Sequence, residues 1–148
     1  MDQGRSRKTG IGLFVPDASV ILKWVLPSRD EGEVEQALRL RDQAVAGEVE
    51  LLVPPLWQYE VGNTLARRFP EQAQALIDAL IRFGMHECPP TQSWRERALD
   101  LVRAFGVTFY DASYHALALE QGARFVTADE RYIRRAGHAG EVIHPAEL

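Results

Sequence analysis

A single cysteine, Cys88, occurs in a chain of 148 residues. It has no partner for an intramolecular disulfide, and no thiolate zinc cluster can be built around it. Its neighbours, Met85-His86-Glu87-Cys88-Pro89, read as a strand, where a buried structural thiol is expected. No apolar run approaches the roughly 20 residues that a membrane span requires. Residues 1–10 are polar and basic and lack the apolar stretch of a secretory leader. These absences lead us to expect a soluble, cytoplasmic protein. Bulk positive charge is also missing. The formal net charge is −4, whereas proteins that hold nucleic acid by overall charge are strongly basic. Any nucleic-acid contact must therefore be local. No glycine-rich turn follows the first apolar run, which excludes a dinucleotide-type phosphate loop. No repeat, low-complexity tract or internal linker divides the chain.

What is present is ordinary for a folded domain. Hydrophobic residues make up 46% and charged residues 26% of the chain, which argues against disorder. The length suits one domain around one core. Residues 1–10, with Arg5, Arg7 and Lys8, are expected to form a flexible tail, and 11–148 a single domain. Strand signals fall at 12–16, 50–53, 85–88, 124–127 and 142–144. Helical signals fall between them, at 31–46, 56–69, from Pro70 to 81, at 93–105, 112–121 and 130–136. Gly106 and Gly122 are placed as helix stops. This alternation predicts an α/β sandwich whose central sheet is mainly parallel and has about five strands.

Four apolar runs each lead to an acid. They are Leu13-Phe14-Val15-Pro16 before Asp17, Leu51-Leu52-Val53-Pro54 ahead of Glu60, Val107-Thr108-Phe109-Tyr110 before Asp111, and Phe125-Val126-Thr127-Ala128 before Asp129. Runs of this kind read as buried strands, so Asp17 and Asp111 are placed at strand ends. In parallel sheets, ligands bind in the crevice beyond the carboxyl ends of the strands.

Each acid also has a plain structural account. Asp17 or Ser19 can cap the helix that carries Val20, Ile21 and Trp24. Glu60 shares a polar helix face with Asn63 and Thr64. Asp111 can serve the first turn of an alanine-rich helix, with His115 one turn on and within reach of it. Thr127-Ala128-Asp129-Glu130 matches a capping box in which Thr127 caps and Asp129 only adds first-turn charge. Capping does not, however, require acids at the same end of four elements. Two unit charges about 5 Å apart repel by roughly 3 kcal/mol at an effective dielectric near 20. Several such pairs are a large burden for a domain stable by about 5–15 kcal/mol. Either some of the acids are protonated or a divalent cation lies among them. All-oxygen donors suit Mg²⁺, or Mn²⁺ in its place, rather than zinc.

Four segments carry a family resemblance: Val15-Pro16-Asp17-Ala18-Ser19, the stretch Pro54-Pro55-Leu56-Trp57-Gln58-Tyr59-Glu60-Val61-Gly62-Asn63, Tyr110-Asp111-Ala112-Ser113-Tyr114-His115-Ala116-Leu117-Ala118, and Phe125-Val126-Thr127-Ala128-Asp129-Glu130-Arg131. In order and spacing they resemble the PIN domain, and within it the VapC-type toxins of bacterial toxin–antitoxin pairs. The resemblance runs from about residue 14 to 144. It implies a three-layer α/β/α sandwich and a Mg²⁺-dependent endoribonuclease acting on single-stranded or loop RNA. It also implies a homodimer and a small antitoxin whose C-terminal segment covers the active site. Carried over residue by residue, Asp17 and Asp111 become first metal ligands, and Glu60 and Asp129 complete the site. Ser19, Thr127 and Asn63 would support them, and Lys23, Arg67, Arg68 and Arg131 are candidates for positioning phosphate. Gly62 weakens the Glu60 helix and would suit a close helix approach.

Three other readings stay open. One is a non-catalytic PIN-fold module for dimerisation and docking. Another is a PIN nuclease acting on DNA flaps or ribosomal RNA processing sites. The third is a phosphotransferase of the haloacid-dehalogenase or receiver kind. Against the third, Ser19 stands where the former expects a second Asp, and Val15-Pro16 where the latter expects paired acids. Trp24, Trp57 and Trp94, each on a helix among apolar neighbours, are assigned to the core.

Overall fold

The computed structural model describes residues 11–26 and 31–148; the tail expected at 1–10 lies outside the described residues. Five strands form one sheet: β1 (Gly12–Pro16), β2 (Val49–Val53), β3 (His86–Glu87), β4 (Arg124–Val126) and β5 (Val142–Ile143). Every pairing is parallel, and the order is β3-β2-β1-β4-β5. The helices are α1 (Ala18–Lys23), α2 (Glu31–Val45), α3 (Leu56–Arg68), α4 (Ala73–Ile81), α5 (Gln92–Phe105), α6 (Phe109–Gln121) and α7 (Glu130–Ala136). The result is the expected α/β/α sandwich. Val15, Leu52, Val53, Phe125 and Val126 are buried because a parallel sheet is covered on both faces. Among the described residues no helix is long and apolar enough to cross a membrane.

From β1 the chain builds outward through β2 to β3. It then returns to the other side of β1 as β4. The order reverses between β1 and β4, and the carboxyl ends of these two strands open the crevice. Their register pairs Pro16 with Val126. The Asp17 amide continues the ladder by donating to the Val126 carbonyl at 3.1 Å. Asp17 and Thr127 therefore emerge side by side from neighbouring strands.

Helix α6 lies against β1, β2 and β4, with α5 packed outside it. Here the chain departs from the pattern read in its sequence. Val107 to Tyr110 is not a strand. Gly106 closes α5 in the left-handed conformation at φ 66°, and Thr108 caps α6 by accepting from the Asp111 amide at 3.0 Å. Two helix-terminal hydrogen-bonding devices only two residues apart override the β preference of Val-Thr-Phe-Tyr. Asp111 thus sits in the first turn of α6 and not at a strand end. Helix α4 starts at Ala73, after a turn that contains Pro70. Gly62 faces Ile77 of α4, but a Cβ there would meet it at 3.8 Å, an ordinary contact, so no close approach demands the glycine.

The three tryptophans are core residues, as expected, and each buries an N–H with a partner. Trp24 donates to the Ala37 carbonyl at 2.8 Å, Trp57 to the Glu87 carboxylate at 2.7 Å, and Trp94 to the Ser113 carbonyl at 2.9 Å. Cys88 is a correction. It lies just past β3, where its amide still bonds to Val53, but its side chain is only partly buried. It lines a shallow apolar hollow with Pro54, Leu56, Trp94 and Tyr110, at the edge strand of the described sheet.

Because Thr108 starts the helix that carries Asp111, Thr108→Ala is expected to lower stability by about 1 kcal/mol. Urea denaturation followed by circular dichroism would measure it; an unchanged midpoint would mean that the cap contributes nothing.

Candidate active site

Asp17 ends the ladder of β1 and caps α1. Its Oδ1 accepts from the Val20 amide at 3.2 Å and from the Ser19 hydroxyl at 2.5 Å. Its Oδ2 accepts from the Thr127 hydroxyl at 2.5 Å. Ser19 in turn accepts from the Ala128 amide, and Thr127 from the Asp129 amide. Each hydroxyl is therefore fixed from behind by backbone and aimed at one carboxylate. Burial pushes the Asp17 carboxyl up to about 6; the hydroxyl and amide donors pull it back, and the charge of Asp111 adds to the rise.

The structure brings the other three acids into the same electrostatic field. Burial raises Asp111 above the usual carboxylate range; the Thr108 hydrogen bond opposes this, and Asp129 raises it further. Glu60 is likewise raised by burial and by the charge of Asp111, and lowered by the hydroxyl of Tyr114. Asp111, in the first turn of α6, thus adds to the burial that raises both Asp17 and Glu60. Asp129 is the N-cap of α7 and accepts from the Tyr132 amide at 3.1 Å. The capping box expected there does not form, because Thr127 gives its hydroxyl to Asp17.

The supporting residues divide. Ser19 and Thr127 orient Asp17 as the sequence suggests. Asn63 is exposed, and the donor to Glu60 is instead Tyr114, at 2.6 Å from α6. The signal for Tyr114 was its place in a buried alanine-rich helix, where a phenol needs a partner. His115 does not reach Asp111. It is fully buried, with Nδ1 at 2.7 Å from the Tyr132 hydroxyl and Nε2 at 2.8 Å from the Gly140 carbonyl. Burial lowers its pKa, and both nitrogens are engaged. It is a structural histidine, not a proton carrier for the crevice.

The candidate cations also separate. Lys23 pairs with Glu33 at 3.2 Å. Arg67 and Arg68 close α3 about 10 Å along the axis from Glu60, with Arg68 over the Phe69 ring at 5.5 Å. Arg131 lines a cleft of about 240 Å³ together with Asp111 and Asp129. Arg135, which sequence reading passed over, lines the same cleft.

The donor set fits a hard divalent cation in chemistry: it is all carboxylate and hydroxyl oxygen, with the charge of Asp111 raising Asp17 and Glu60 and that of Asp129 raising Asp111. The fit is one of donor type and charge. Among the described residues, no group of three or more His, Cys, Asp or Glu side chains forms a preset metal cage.

The sequence model of the PIN domain matches residues 14–138. No curated protein matches the chain. Solved structures do. A toxin–antitoxin complex from Klebsiella pneumoniae is 19% identical, covers 90% of this chain and 97% of its own, and superposes with a TM-score of 0.67. VapBC2 from Rickettsia felis, bound to a DNA fragment from its promoter, is 12% identical with coverages of 89% and 98% and a TM-score of 0.68. VapC20 from Mycobacterium tuberculosis, described as a sarcin–ricin loop cleaving toxin, is 20% identical with coverages of 88% and 97% and a TM-score of 0.61. At these identities the likeness is one of fold.

The raised Asp17 carboxyl has a consequence for stability. Its pKa near 6 in the folded protein stands above the unfolded value of about 4. The folded state therefore holds the extra proton between these values, and stability falls as pH rises through that window. Asp17→Asn keeps a competent cap and removes the buried charge. In chelator it is expected to match the wild type near pH 4 and to be more stable by about 1–3 kcal/mol at pH 7.5. Denaturant titrations at both pH values test this; a variant less stable at pH 7.5 would make the cap, and not the charge, the dominant role of Asp17.

Proposed function

The chain belongs to the PIN domain family, and on that premise we propose that it is a divalent-metal-dependent endoribonuclease, the toxin of a toxin–antitoxin pair. The observation that carries this reading is the meeting of acids from separate elements at the switch point of a parallel sheet: Thr127 donates to Asp17 and accepts from the Asp129 amide, Asp111 and Asp129 line one cleft, and Tyr114 of the helix that carries Asp111 donates to Glu60. The neighbouring toxin–antitoxin complexes and the RNA-cleaving VapC20 support the choice of RNA as substrate and of a small protein as partner.

Asp17 and Asp111 would hold Mg²⁺ or Mn²⁺, with Glu60 and Asp129 completing the set. A divalent ion bound there supplies Lewis-acid stabilisation of the negative charge that builds on a phosphate under attack. The chain does the rest. Ser19 and Thr127 fix the orientation of the Asp17 carboxylate, and Tyr114 fixes that of Glu60. The proton released by the attacking water passes to a carboxylate, since His115 is engaged on both nitrogens. A homodimer is part of the proposal. Tyr59 and Leu99, exposed at 76% and 48%, are apolar surface that a second copy or the partner would cover.

The decisive assay is cleavage of a panel of single-stranded and hairpin RNAs, with a matched DNA, in Mg²⁺ and in chelator. Cleavage is expected only with the metal and only of RNA, and Asp17→Asn or Asp111→Asn should lower it by about 100-fold or more. Thr127→Val, which removes one donor to Asp17, should lower it by about 10–100-fold. Mg²⁺ should raise the melting temperature of the wild type and leave both Asn variants unmoved. Cleavage that persists in chelator, or Asn variants as active as the wild type, would sink the proposal.

A further inference from the structure

The acidic cleft has a basic wall. Arg131 and Arg135 both line it beside Asp111 and Asp129. They stand four residues apart on α7, on one helix face and about 6 Å apart along its axis. Arginines next to carboxylates ordinarily pair with them. Here no ion pair among the described residues joins either arginine to Asp111 or Asp129. Arg131 is exposed, and no described residue bonds to it. Arg135 gives one N–H to the Gly106 carbonyl at 3.0 Å. That carbonyl belongs to the residue that closes α5, so the contact holds the guanidinium at the rim of the cleft. Helix α7 itself is pinned between the two by Tyr132, whose hydroxyl meets His115. A guanidinium has five N–H donors in a planar fork, and Arg135 spends one of them on Gly106, so donors remain at the cleft's edge for an anion. Two like charges one turn apart also repel, and a shared anion removes that repulsion.

The other candidate cations do not offer this. Lys23 is paired with Glu33, and Arg68 stacks on Phe69. The chain as a whole is acidic at −4, so a polyanion must be held by local cations. Planar forks suit phosphate oxygens.

We propose that Arg131 and Arg135 form a phosphate subsite beside the acids, holding the phosphodiester next to the one cleaved. This rests on the nuclease reading of the acids and narrows the substrate. It must be a polynucleotide with at least one phosphate beyond the scissile linkage, and the pair acts by positioning it.

The test uses a fluorescently labelled single-stranded RNA oligonucleotide and the Asp17→Asn protein in Mg²⁺ buffer, with affinity measured across a salt series. Arg131→Gln and Arg135→Gln are each expected to flatten the slope of log affinity against log salt by about 0.7. In an otherwise wild-type protein the double variant should raise KM about 10-fold and leave kcat within about threefold. Lysine at both positions should restore the slope. Replacing the neighbouring linkage by a neutral methylphosphonate should make the wild type and the double variant alike. An unchanged salt slope would overturn the subsite. So would a fall in kcat alone, which would mean that the arginines act on the acids, or RNA that never binds. Loss of an acidic protein partner with RNA affinity intact would overturn it in favour of a protein-docking role. The two readings fail separately. Metal-dependent cleavage lost in Asp17→Asn but indifferent to the arginines removes the subsite alone. Arginine-dependent RNA binding without any cleavage removes the nuclease alone.

Discussion

The parallel pairing of β1 with β4 places a carboxylate where the fold can neither fully solvate it nor leave it alone. Asp17 continues the ladder through its amide, starts α1 through its carboxylate and receives hydroxyls from Ser19 and from Thr127, which lies 110 residues away. Those donors favour the ionised form, and burial disfavours it; burial prevails. The balance sits where a carboxylate is poised rather than settled. The site is built on this compromise, because the same pairing sets where Asp129 emerges and thus how the crevice closes.

Much of this was written in local pattern. Short apolar runs bounded by turn residues marked the inner strands β1, β2 and β4, since a strand covered on both faces is largely apolar, whereas the edge strand β3, His86–Glu87, is polar and exposed. Gly106 and Gly122 marked two helix ends because each takes a positive φ that other residues avoid. The four acids stood out because they recur after such runs. Local pattern failed where two devices competed for one stretch. Val107 to Tyr110 has strand composition, yet Thr108 turns it into the start of a helix. At Thr127 the capping-box spacing was real, but the hydroxyl had a better acceptor on the neighbouring strand. Tyr114 and Arg135 were missed for a related reason. Their partners, Glu60 and Gly106, are remote in sequence, and only the packing of α6 and α7 brings them into reach.

Beneath the charged rim lies an aromatic floor. Phe125 of β4 stacks on Tyr114 and on His115, with ring centroids 6.2 Å and 5.6 Å apart, and meets Tyr132 edge-on at 5.5 Å. Each polar atom that this floor carries is directed to a partner: the Tyr114 hydroxyl to Glu60, and the two His115 nitrogens to Tyr132 and Gly140. Three elements, α6, β4 and α7, are thereby locked to one another. Aromatic pairs of this kind contribute about 0.5–1.5 kcal/mol each beyond the area they bury.

That rigidity offsets the repulsion above it. Carboxylates that raise one another's pKa tend to move apart, and any slack in α6 or α7 would let Asp111 and Asp129 separate. Since α6 carries Asp111 and Tyr114 while α7 carries Asp129 and both cleft arginines, the His115–Tyr132 contact ties the acids to the basic wall as one unit. On the nuclease reading proposed above, an anionic substrate would meet a fixed spacing between the arginines and the acids. A rim of like charges keeps its spacing only when the layer under it is stiff, and the one histidine in that layer contributes to this: it is fully buried and engaged on both nitrogens, and that burial holds it below its ordinary pKa.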